Sequence, residues 1–106
     1  MGVKEFTKKL TADGDERLRV EIRVEKGRVR DVVIQYETKI KDKWHPVVRY
    51  DCSHGFFHRD LLSPKGDKIK QPISINNLDD ALTYAEQDIK DRWEWYKEKF
   101  KRGMRQ

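Results

Sequence analysis

Between Arg17 and Glu25 the chain alternates without a break. Leu18, Val20, Ile22 and Val24 point one way, and Arg17, Arg19, Glu21, Arg23 and Glu25 the other. A repeat of two sends successive side chains to opposite faces of a strand, so this stretch reads as a half-buried antiparallel strand with one apolar and one wet face. The rest of the chain has to supply its neighbours and the cover for its apolar face.

The neighbours are legible from turn chemistry. Residues 3–10 form a first strand with Phe6 and Leu10 on one face, and Asp13-Gly14 supplies the positive-φ turn into the second. Lys26-Gly27 is a tight turn into a third strand, 28–38, with Val32, Ile34 and Tyr36 inward. A charged connection, 39–43, leads to a fourth strand at 44–51, and a fifth follows at 56–62. The 63–67 turn (Ser-Pro-Lys-Gly-Asp) ends it, and 69–73 adds at most a short edge strand limited by Pro72.

The cover is a helix over about 77–102. Leu78, Leu82, Ala85, Ile89, Trp93, Tyr96 and Phe100 recur at steps of three and four and make one stripe. Asn76 or Asn77 caps its start and Asp79 and Asp80 sit in the first turn. Lys97, Lys99, Lys101 and Arg102 crowd its end, where Gly103 suits a left-handed stop. The expected architecture is an α+β fold, an antiparallel β-meander of about five strands with one long C-terminal helix packed on one face.

The 106 residues allow one domain, 1–106. Charged residues are 41% of the chain and hydrophobic ones 36%, so the core is thin. Heavy use of both charge signs is also a habit of heat-adapted proteins. A net charge of +5 permits a nucleic-acid or acidic partner without requiring one. The single cysteine cannot close an internal disulfide, and no signal peptide or membrane-spanning run is present, so the expected location is cytoplasmic.

Polar chemistry concentrates in Val48–Leu62, VRYDCSHGFFHRDLL. If Cys52-Ser53-His54-Gly55 closes a hairpin with Asp51 opposite Phe56, then Arg49 lies opposite His58 and Val47 opposite Asp60. Arg49, Asp51, His58 and Asp60 then share the open face with His45, and His54 stands in the loop beside them. Trp44, Val48, Tyr50, Phe57 and Leu61 take the apolar face, where Arg59 is an unexplained charge.

Such a patch suits metal-independent cleavage of RNA. That reaction needs a base for the 2′-hydroxyl proton and an acid for the leaving oxygen, and histidine serves as both near neutral pH. His58 and His54 are the proton-transfer candidates, Arg49 would hold phosphate, and Asp51 and Asp60 would orient the histidines. No cofactor is expected. A metal site built from His54, His58 and the aspartates is disfavoured without a sharp bend at Gly55, because four residues of extended strand cover roughly 13 Å, while ligand nitrogens each lie about 2 Å from a shared ion. The plain alternative is a solvated cross-strand ladder of charges. Cys52 reads as a small packed residue.

The stretch Arg49–Asp60, RYDCSHGFFHRD, resembles a group of small uncharacterised prokaryotic domains with an RYD-x-x-HG-x-x-HRD core, a glycine–aspartate turn and a helix. More distantly it is similar to TumE-type toxins of type II toxin–antitoxin pairs, which place strands first, then YD-N-x-x-G-x-x-HRH, then a closing helix. Tyr50, Asp51, Gly55, His58 and Arg59 stand at the shared positions, whereas Asp60 replaces the last histidine. The resemblance implies a toxin-like protein acting on RNA, with an antitoxin partner encoded next door. The competing expectation is a non-catalytic module that binds nucleic acid or protein through Arg17, Arg19, Arg23, Arg28 and Arg30. A homodimer through the Tyr84/Trp95 face is a third.

Overall fold

Two of the turns share one geometry. Lys26 and Gly27 have φ of 52° and 74°, and Lys41 and Asp42 have 52° and 63°. Two consecutive positive-φ residues match the right-handed twist of the strands that they join. The second turn is therefore Lys41-Asp42 alone, and residues 39 and 40 continue the strand where a longer connection was expected.

The computed structural model describes residues 2–52, 56–75 and 77–105. Its strands are β1 (Gly2–Lys9), β2 (Glu16–Glu25), β3 (Arg28–Ile40), β4 (Lys43–Asp51), β5 (His58–Leu62) and β6 (Lys68–Pro72). They pair antiparallel in sequence order in one sheet, and the helix α1 (Leu78–Met104) follows. The expected α+β meander is therefore present, with six strands: β6 is a full member of the sheet, and Pro72 sits on its outer edge opposite His58. No helix among the described residues is long and apolar enough to cross a membrane.

The helix lies across β3 and β4. It buries Ala81, Ala85, Ile89, Tyr96 and Phe100 against Leu18, Val20, Val32, Ile34, Tyr36, Val48 and Tyr50, with Leu78, Leu82 and Trp93 partly buried beside them. Two alanines at the contact let the helix approach closely, and each large apolar side chain buried there contributes about 1.5–3 kcal/mol. Asn77 caps the helix, its side chain accepting from the backbone N–H of Asp79 (2.8 Å) and Asp80 (3.4 Å). Asn76, the other candidate cap, lies outside the described residues.

The far end differs from expectation. The helix runs through Gly103 to Met104, and Arg105 closes it with φ of −88°. Gly103 answers to packing instead: a Cβ there would lie 2.9 Å from Cδ of Pro64 in the β5–β6 turn. The residue lets the helix end rest on that hairpin.

A bulge decides which way the start of β4 faces. Tyr36 pairs with Val48 but Glu37 pairs with Pro46, so Val47 is an extra residue, and both Val47 and Val48 reach the core. Proline, which lacks an N–H, is at home beside such an interruption. One added residue reverses the parity of everything before it. His45 therefore lies on the helix face with its ring 5.7 Å from Phe100. Trp44 lies on the open face, with the Arg17 guanidinium 3.8 Å from its ring centre. Both are the reverse of the expected placement.

Replacing the cap, Asn77→Ala, is expected to cost about 1 kcal/mol. Urea unfolding followed by circular dichroism should show the midpoint falling with an unchanged slope.

Candidate functional site

The β4–β5 hairpin is where the polar sequence becomes polar structure. Its register pairs Asp51 with His58, Tyr50 with Arg59, Arg49 with Asp60 and Val48 with Leu61. This is two residues away from the expected register. An even shift keeps every side chain on its face, so Arg49, Asp51, His58 and Asp60 do share one face, but His58 stands beside Asp51 and not beside Arg49. Burial supplies the reason. Asp51 is 5% exposed, and the expected register would have set Phe56 against a buried carboxylate that needs polar contacts.

The resulting cluster is tight. His58 Nε2 lies 2.9 Å from Asp51 Oδ1 and 3.5 Å from Asp60 Oδ2, while the other ring nitrogen, Nδ1, is 3.3 Å from the Phe56 carbonyl. Arg49 Nε donates to Asp51 Oδ2 at 2.9 Å, and its side chain remains 44% exposed. His58 is wholly buried and Asp60 nearly so. The solvated charge ladder is thus not what forms: three of the four groups are withdrawn from water, and Arg49 is the part that a ligand can touch. His54, the second proton-transfer candidate, lies outside the described residues. Cys52 is half-buried, and burial pushes its thiol pKa up, which suits a packed residue more than a nucleophile.

The opposite face of the same hairpin carries a second cluster, which the sequence did not reveal. Arg59, the unexplained charge, reaches under the helix. Its Nη1 lies 3.0 Å from the Tyr96 hydroxyl, 3.2 Å from that of Tyr50 and 3.4 Å from Asp88 Oδ2, while its Nε donates to Gln71 at 2.7 Å. The hydroxyls of Tyr50 and Tyr96 both donate to Asp88 Oδ2 at 2.5 Å. Two signals pointed here: an arginine at an apolar strand position, and core tyrosines whose hydroxyls need partners. Tyr36 is satisfied in the same manner by Glu16, which also takes Lys97 at 2.7 Å.

Elsewhere on the open face, Arg17 donates to Glu37 at 2.7 Å. Tyr84 and Trp95 are 41% and 47% exposed, but each is propped from within the chain, Tyr84 edge-on to Tyr50 and Trp95 edge-on to Tyr96.

The helix-face cluster shifts its phenols. Burial, reinforced by the neighbouring Asp88 carboxylate, pushes the Tyr96 pKa up to about 12 and that of Tyr50 further. Unfolded tyrosine ionises near 10. The associated stability is therefore fully present below about pH 10 and is lost as pH rises towards 12, because the unfolded chain releases its protons first. Phenolate absorbance should accordingly rise less between pH 10 and 11 in the folded protein than in the chain unfolded with guanidinium. Asp88→Ala, which strands two hydroxyls and a guanidinium, is expected to cost about 3 kcal/mol in urea unfolding.

A protein-family model described as a domain of unknown function (DUF7718) matches residues 1–106. No curated protein and no solved structure matches the chain.

Proposed function

The chain belongs to the DUF7718 family, and from the geometry of its open sheet face we propose that it is a small toxin-like protein acting on RNA. The observation that carries this reading is a row of side chains running across the strands. Thr7, Arg19, Gln35, Arg49, Asp60 and Lys70 are successive cross-strand partners from β1 to β6 and therefore lie on one face. Arg19, Arg49 and Lys70 are exposed, while Asp60 between the last two is buried. Strands stand about 4.8 Å apart, so the three cations are spaced at roughly twice that distance. The next row holds Glu5 and Glu21, which confines a phosphodiester backbone to the cationic line.

Arg49 sits in the middle of that line, directly above the buried cluster. It is the group placed to hold the phosphate at which strand cleavage would occur. Because the His58 ring is buried, its part is to back Asp51, which it approaches to 2.9 Å, while Asp51 accepts from the Arg49 guanidinium. His54, the other proton-transfer candidate of the sequence, lies outside the described residues and is assigned the 2′-hydroxyl in this reading. The likeness to TumE-type toxins supports the same reading and brings with it a protein antitoxin as partner. The surface that suits such a partner or a second copy is the helix flank at Trp95. There Leu61, Ile69 and Phe100 line a groove rimmed by Lys99 and Arg102.

A labelled single-stranded RNA should bind with an affinity that falls with salt at a log–log slope of about −2, three phosphates at roughly 0.7 each. Arg49→Ala should remove about 0.7 from that slope and abolish cleavage measured in a chelator, at a temperature where circular dichroism shows the variant folded. A flat salt response, or cleavage carried equally by the Arg49 variant, would refute the assignment and point to a protein partner in place of RNA.

A further inference from the structure

The buried half of the open-face cluster has features that an ordinary ion pair does not require. Asp51, His58 and Asp60 come from two neighbouring strands, and a ligand atom from each lies within 4.8 Å of the others. The along-strand distance that disfavoured a metal does not apply here. Antiparallel pairing brings His58 beside Asp51, and the pleat brings Asp60 to the same face two residues on.

The spacing fits a coordination polyhedron. Two donor atoms each about 2.1 Å from one ion lie about 3.0 Å apart when they subtend a right angle and about 3.4 Å at the tetrahedral angle. His58 Nε2 is 2.9 Å from one carboxylate and 3.5 Å from the other. Short as these contacts are, among the described residues neither Nε2 nor Asp60 Oδ1 has a hydrogen-bond partner. The ring nitrogen is near both oxygens and lined up with neither.

Tautomer and charge point the same way. The Phe56 carbonyl beside Nδ1 can only accept, so Nδ1 carries a proton and Nε2 is the ring nitrogen left to face the two carboxylates. This is the arrangement that fixes metal-binding histidines from behind. Buried carboxylates on both sides of that nitrogen favour a cation between them, and a divalent ion can meet both at once.

We propose that Asp51, His58 and Asp60 form a binding site for a divalent transition-metal ion on the β4–β5 hairpin. One imidazole nitrogen and two carboxylate oxygens, with no thiolate, suit Mn²⁺, Fe²⁺ or Zn²⁺ better than the all-oxygen preferences of Mg²⁺ and Ca²⁺. The site ties the two strands together from the face that the helix does not cover. It shares the hairpin with the RNA reading but stands without it.

The test is made on the full chain, stripped of metal by chelation, with no RNA present. Titration with Mn²⁺, followed by loss of the free-ion electron paramagnetic resonance signal, should show one saturable site per chain, and Mn²⁺ or Zn²⁺ should raise the melting temperature. Asp60→Asn should weaken binding by at least about tenfold. Arg49→Ala, on an exposed side chain, should tighten it, because a competing positive charge is removed. Absence of saturable binding of either ion by the wild-type chain below millimolar concentration would overturn the proposal. So would an Asp60→Asn chain that folds and binds as well as wild type. Should that variant not fold, the wild-type titration and the Arg49→Ala comparison decide the matter alone.

Discussion

On the helix, the carboxylate of Asp88 receives the hydroxyls of Tyr50 and Tyr96 and lies within reach of Arg59, and the seating of α1 over the sheet depends on it. Apolar contact alone holds a helix on a sheet but lets it slide or roll at small cost, since dispersion and burial have no direction. Hydrogen bonds to a buried carboxylate do have direction. They remove the freedom that the Ala81, Ala85 and Ile89 stripe leaves open, and any offset that breaks them strands charge and hydroxyls out of water.

The same hairpin is clamped twice, from opposite sides. Tyr50 and Arg59 face the helix, while their chain neighbours Arg49, Asp51, His58 and Asp60 face away from it. Moving the β4–β5 pairing by one residue would exchange the two sets and bury each among the wrong partners. A shift by two would keep the faces but separate Asp51 from His58. Both clusters therefore specify one register, which is the best-attested structural use of buried polar groups. The short motif that resembles other small domains contributes to each cluster in alternation, Tyr50 and Arg59 to one, Asp51 and His58 to the other. Much of that motif has structural work to do before any chemistry is asked of it.

The alternation in β2, the turns at Gly14, Gly27 and Gly66, the helix with its cap at Asn76 or Asn77 and the antiparallel meander, though counted as about five strands, were legible in the chain because each rests on contacts local in sequence. The polar face of the hairpin was legible as a set for the same reason, since a period of two records faces. It does not record offset, so the pairing of Asp51 with His58 was out of reach. The Val47 bulge has no local pattern beyond Pro46. Arg59 meets Asp88 and Tyr96 across the sheet–helix interface, and nothing near Arg59 in the chain announces partners so distant. The length of helix beyond Arg102 was misjudged because glycine suits two purposes, a left-handed turn and a close approach, and only the position of Pro64 tells them apart.

The Val47 bulge also sets what the chain can tolerate in length. Because one supernumerary residue separates the half of β4 that carries Tyr50 from the half that carries His45, deleting a single residue at 46–48 would restore a regular ladder and turn His45 out and Trp44 in. A compensating insertion would have to fall within the same few residues to undo it. The stem of the hairpin thus admits no change of one residue.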